Sequence, residues 1–121
     1  MKIKKSFGFA WSGLKYSFDT QVNLKIHFVL AILAIVLGIG LRISTIEWLV
    51  VLVCFAIVIF AELINTAVEK LCDVVHINIH PEIKLVKDIA AGAVLVAALA
   101  SLIIGIVIFL PKLIYLIKSV P

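Results

Sequence analysis

The chain has 121 residues, 64 % of them apolar and 15 % charged, with a mean hydropathy of +1.29. Ordinary globular chains are about half apolar and about a quarter charged, and a chain this short has too much surface to hide the excess in a soluble fold; intrinsic disorder, a disulfide scaffold and a coiled coil are excluded as well. The net charge of +4 forms no basic patch with interleaved aromatics; the bases stand at the edges of apolar runs, where they set membrane topology, so nucleic acid is not an expected partner.

The class is therefore an all-α integral membrane protein, and the length leaves room for one domain, residues 1–121. No cleavable signal peptide is visible, because the basic start leads into an amphipathic stretch rather than a short apolar region with a small-residue cleavage site. Over residues 3–20, Ile3, Phe7, Trp11, Leu14 and Phe18 recur at helical spacing, with Lys4, Lys5, Ser12 and Lys15 elsewhere around the wheel. This predicts an amphipathic helix lying in the headgroup plane.

The first apolar run, Phe28 to Leu41, has 14 residues, short of the roughly 20 needed to span. The first spanning helix is thus expected over 23–41, with Lys25 snorkelling and His27 a satisfied polar residue near the interface. A short turn follows, in which Ser44 or Thr45 caps the next helix and Ser44 has Glu47 at the capping-box position. The second apolar run begins at Trp48, an interfacial belt residue, and its helical pattern continues to Asp73, which predicts a helix over 47–73. Cys54 and Cys72 lie on it, about 27 Å apart at about 1.5 Å per residue, too far to bridge.

A loop is expected over 74–86, with Pro81 preventing a continuous helix. His76 and His80 stand four apart in it, but the proline argues against a helical two-histidine metal site. The third spanning helix is expected over 87–110, ended by Pro111, with Lys112 and Lys118 in the tail. Within it Ala93, Ala97, Ser101 and Gly105 form a stripe of small residues suited to close helix packing. With the amino terminus cytoplasmic, eight bases (Lys2, Lys4, Lys5, Lys15, Lys25, Lys70, Lys84, Lys87) lie inside and three (Arg42, Lys112, Lys118) outside, the orientation that the positive-inside rule favours. Three helices cannot shield a polar face alone, so a closed homo-oligomer is expected.

That polar face is the informative feature. Glu62, Asn65, Thr66, Glu69 and Asp73 fall within about 100° of arc on one helix. Carboxylates inside a span are costly and must face protein, water or a cation. Lys87 and Asp88, opening the third spanning helix on the same side, add positive charge and free backbone N–H groups. Together they suggest a hard divalent cation and a phosphate chain held at the cytoplasmic surface. Magnesium suits best, because it binds through one or two carboxylates plus substrate phosphates. No phosphate-binding glycine loop is present, so a nucleotide site must be built differently. A small oligomeric ion or proton conduit lined by Glu62 and Glu69 is the alternative from another class.

These residues also carry a resemblance. Glu62-Leu-Ile-Asn-Thr-Ala-Val-Glu69 with Asp73, then Lys87-Asp-Ile-Ala-Ala-Gly-Ala-Val-Leu, together with Trp11-Ser-Gly-Leu-Lys15, is similar to the prokaryotic diacylglycerol kinase and undecaprenol kinase family over nearly the whole chain. The resemblance implies a homotrimer of three-span subunits with an amphipathic amino-terminal helix, a multi-pass protein of the inner (plasma) membrane. It implies transfer of the γ-phosphoryl group of ATP to a membrane lipid alcohol, with Mg2+ as cofactor. By the same resemblance Glu62 is the candidate general base for the lipid hydroxyl and Glu69 a metal ligand. Asn65, Asp73, Lys87 and Asp88 contact nucleotide or hold the site, and Lys5 reaches the phosphates. At the position of the family's second metal-ligating glutamate this chain has Gln21, whose carbonyl can ligate but carries no charge; an inactive relative is therefore a further alternative. His80-Pro81 and the segment after Lys87 lean towards undecaprenol rather than diacylglycerol.

Overall fold

The computed structural model describes residues 2–75, 78 and 80–121. Four helices follow one another: α1 (Ile3–Thr20), α2 (Val22–Gly40), α3 (Thr45–Val75) and α4 (Pro81–Lys118), with no strand among the described residues. The last three are long and apolar enough to cross a membrane. α3 packs most extensively on α4 and also touches α2, while α1 lies against α2 and α3. Few side chains are buried in the single chain, and most large apolar ones on α2, α3 and α4 are exposed, as helices facing acyl chains require.

The turn between α2 and α3 shows how local chemistry sets the bundle. Ile43 N–H donates to Gly38 C=O at 3.1 Å and Arg42 N–H to Ile39 C=O at 3.3 Å, with Arg42 in the left-handed region at φ 53°. This is a Schellman ending with arginine where glycine is usual. Gly38 is needed for another reason: a Cβ there would stand 2.6 Å from Trp48 Cη2 and 3.1 Å from Ile43 Cδ1. The capping box forms as the sequence predicts. Ser44 N–H donates to Glu47 Oε1 at 2.9 Å, and Glu47 N–H donates to Ser44 Oγ at 3.2 Å. Glu47 also pairs with Lys112 at 3.3 Å, joining the start of α3 to the far end of α4.

Pro81 separates α3 from α4 as expected, whereas Pro111 departs from expectation. The loop expected over 74–86 is shorter at both ends, because α3 runs to Val75 and α4 begins at Pro81. Proline at the first helical position loses only an N–H that would be unpaired anyway, and His80 caps the helix, its Nδ1 accepting from Glu82 N–H at 3.1 Å. His76 lies outside the described residues. At the other end Pro111 does not stop α4, which continues to Lys118. One missing backbone bond is tolerated where neighbouring groups can compensate, and the residues read as a tail are two further turns of helix.

The middle of the small-residue stripe packs within the chain, whereas a Cβ at Gly105 would meet open space. Ala97 is buried, and Ser101 Oγ donates to the Cys54 carbonyl on α3 at 3.4 Å.

Candidate active site

At about 1.5 Å per residue, the 31 residues of α3 run about 46 Å, well beyond the roughly 30 Å hydrocarbon core. If Trp48 marks one boundary, Glu62 lies about 21 Å in, Glu69 at the opposite boundary and Asp73 past it. α1 crosses α3 at this same level: Tyr16 and Ser17 line a groove of ≈ 500 Å³ with Leu63, Thr66 and Lys70, and Lys70 Nζ stands 5.1 Å above the Tyr16 ring. The polar face of α3 thus emerges where the amphipathic helix lies.

Helical spacing ties the face together. Asn65 Nδ2 donates to Glu69 Oε1 at 3.3 Å, and Thr66 Oγ1 donates to the Glu62 carbonyl at 2.9 Å. Glu62 is only 4 % exposed, whereas Asn65 and Glu69 are half-buried and Asp73 is exposed. The Asn65 amide oxygen is buried with no hydrogen-bond partner, the one side-chain atom of that kind among the described residues. Glu62 receives a donor from α2: His27 Nε2 lies 3.2 Å from Glu62 Oε1. Their separation of 35 positions hides this pair from any local motif; the remaining signal is a histidine and a glutamate at matching depth in adjacent helices.

Lys87 reaches back to α3, its Nζ donating to Asp73 Oδ1 at 2.8 Å, while Lys84 donates to Asp88 Oδ2 at 2.6 Å. The ends of α3 and α4 are thus clasped by charge beside the acidic face. Lys87 and Asp88 do not open the helix, however. α4 starts six residues earlier, so the free N–H groups of its first turn belong to residues around Pro81 and not to an anion site built on Lys87.

Two candidates stand apart. Lys5 is exposed in the first turn of α1, about 16 Å along the helix from Tyr16 at about 1.5 Å per residue. Gln21 sits half-buried at the α1–α2 joint, its Nε2 donating to Thr20 Oγ1 at 3.3 Å. Among the described residues no three His, Cys, Asp or Glu side chains form a ready cation cage. Magnesium does not need one, since it usually takes one or two protein oxygens and completes its shell with phosphates and water. The Glu69 carboxylate beside the unpartnered Asn65 oxygen is a donor set of that hard, sparse kind.

Comparison with known proteins gives a consistent answer. The model of the prokaryotic diacylglycerol kinase family matches residues 8–109. The undecaprenol kinase of Bacillus subtilis (strain 168) is 39 % identical over 109 residues, which cover 90 % of this chain and 89 % of that protein. The diacylglycerol kinase of Synechocystis sp. is 39 % identical over 112 residues, 92 % of this chain and 64 % of that protein. That of Escherichia coli (strain K12) is 26 % identical over 102 residues, 84 % of each.

Proposed function

The chain belongs to the prokaryotic diacylglycerol kinase family and is a lipid kinase; from that premise we propose that it moves the γ-phosphoryl group of ATP onto the hydroxyl of a membrane lipid at the cytoplasmic surface, undecaprenol being favoured over diacylglycerol. The observation that carries this reading is the graded polar face of α3, from buried Glu62 to exposed Asp73, clasped by Lys87 from α4.

In the proposed reaction the lipid hydroxyl oxygen attacks the γ-phosphorus, the bond from that phosphorus to the bridging oxygen breaks, and ADP leaves. Glu62 takes the hydroxyl proton. Phosphoryl transfer asks for positioning and charge neutralisation more than for covalent help. Glu69 and Asn65 would hold Mg2+, with Gln21 a further carbonyl donor, and the ion would neutralise phosphate charge when bound. Lys87, exchanging Asp73 for phosphate oxygens, adds positive charge on the same side; Asp73, Asp88 and Lys5 complete the proposed nucleotide contacts. An apolar groove of ≈ 410 Å³ between α3 and α4, lined by Phe60, Ile64, Ala93 and Ala97 and reaching Asn65, supports a lipid chain lying beside the acids. A homotrimer in the inner membrane is part of the same proposal. Family membership sets the conduit reading aside.

The test supplies purified protein, magnesium and γ-labelled ATP with each lipid in turn, and Glu69→Gln as control. Label should enter undecaprenol and vanish in the control; label in neither lipid overturns the proposal. Gln21→Glu addresses the inactive-relative reading. If Gln21 has disabled the enzyme, the substitution raises the rate sharply from near zero, whereas a robust rate without it dismisses that reading.

A further inference from the structure

We propose that His27 is a positioning residue for Glu62: its Nε2–H holds Oε1 and leaves Oε2 to receive the lipid hydroxyl proton. The proposal rests on Glu62 being the general base.

The Glu62 side chain is 5 % exposed and that of His27 19 %, so little water reaches the pair. A carboxylate there loses its hydration and needs a protein donor. The neighbouring polar groups are engaged elsewhere: the Thr66 hydroxyl with the backbone carbonyl of Glu62 and the Asn65 amide nitrogen with Glu69. His27 alone, among the described residues, brings a side-chain donor to the Glu62 carboxylate. Deprotonated Glu62 offers only acceptors, so Nε2 carries the proton in this bond. That bond survives when Oε2 gains a proton, because Oε1 remains an acceptor. A base that is protonated and deprotonated in every turnover keeps one orientation throughout.

The histidine is itself held in place. The next residue, Phe28, packs edge-to-face on Phe18 of α1 at 5.2 Å and on Phe55 of α3 at 5.4 Å. This three-ring stack fixes the height of α2 against α3 and brings His27 level with Glu62.

The experiment uses the full chain in lipid-containing micelles. His27→Leu and His27→Phe remove the donor, His27→Gln keeps one, and Glu62→Gln removes the base. Loss of the donor should lower kcat by about 10- to 100-fold, the scale of a misplaced reacting group, with KM for ATP unchanged. His27→Gln should recover most of the rate. His27→Phe, whose ring fills the imidazole's space, supplies the donor-free comparison if His27→Leu does not fold. Wild-type kcat in a folded donor-free variant overturns the positioning role, and so does a His27→Gln enzyme as slow as His27→Phe. If Glu62→Gln stays active, the general-base reading itself fails. If it is inactive while His27→Phe runs at full rate, only the positioning role falls.

Discussion

Asn65 bears an amide oxygen buried without a partner, a condition that costs about 1–3 kcal/mol. A folded protein keeps such a group where something else satisfies it, and the proposed cation does so. Asn65→Ala should therefore leave the unfolding temperature unchanged or raised while activity falls by about 100-fold or more, the usual opposition between stability and a strained site. Parallel losses of stability and activity would instead make Asn65 an ordinary packing residue. At this scale the α3 face is legible in the sequence, because Glu62, Asn65, Thr66, Glu69 and Asp73 repeat at three and four residues and helix geometry does the rest. The partners that complete it, His27 and the Lys87–Asp73 link, span 35 and 14 residues. Periodicity within one helix says nothing about a bond between two.

Among elements, the start of α3 is specified redundantly. The Schellman ending of α2, the capping box of Ser44 and Glu47, and the Trp48 ring over Gly38 occupy eleven consecutive residues. Each signal is local, so the capping box is visible in the sequence, whereas the close approach of Trp48 to the α2 backbone is not. Gly38→Ala should destabilise the protein by about 1–3 kcal/mol through overpacking. Since the nearest atoms belong to the far edge of the indole, Trp48→Phe in the same chain should recover part of that loss. Unfolding of the two single variants and the double variant measures the coupling, and simple additivity would refute the contact. The ends of α4 show the opposite case. Pro81 and Pro111 both signal helix breaks, yet one occupies the first helical turn and the other lies inside the helix. Proline's effect depends on which N–H is lost and on what surrounds it, and residue type alone carries neither.

Across the whole molecule, charge and helix length divide the chain into two ends. At about 1.5 Å per residue, the 38 residues of α4 run about 57 Å and overshoot the roughly 30 Å hydrocarbon core on both sides. Arg42, the Glu47–Lys112 pair and Lys118 gather at one end. The Asp73–Lys87 and Lys84–Asp88 pairs, with Lys70 against α1, gather at the other. The proposed orientation, which the positive-inside rule favours for three spans with more bases at the second end, puts that end in the cytoplasm, where ATP is found. A cysteine-free background, Cys54→Ala with Cys72→Ala, gives the test a clean start. A membrane-impermeant maleimide applied to intact spheroplasts should label Lys118→Cys and leave Lys84→Cys unlabelled until the membrane is opened. The reverse pattern would put the acids, the clasp and α1 on the outer surface. No ATP reaches that face, so a phosphoryl transfer built on Glu62 would be ruled out whatever the geometry of its neighbours.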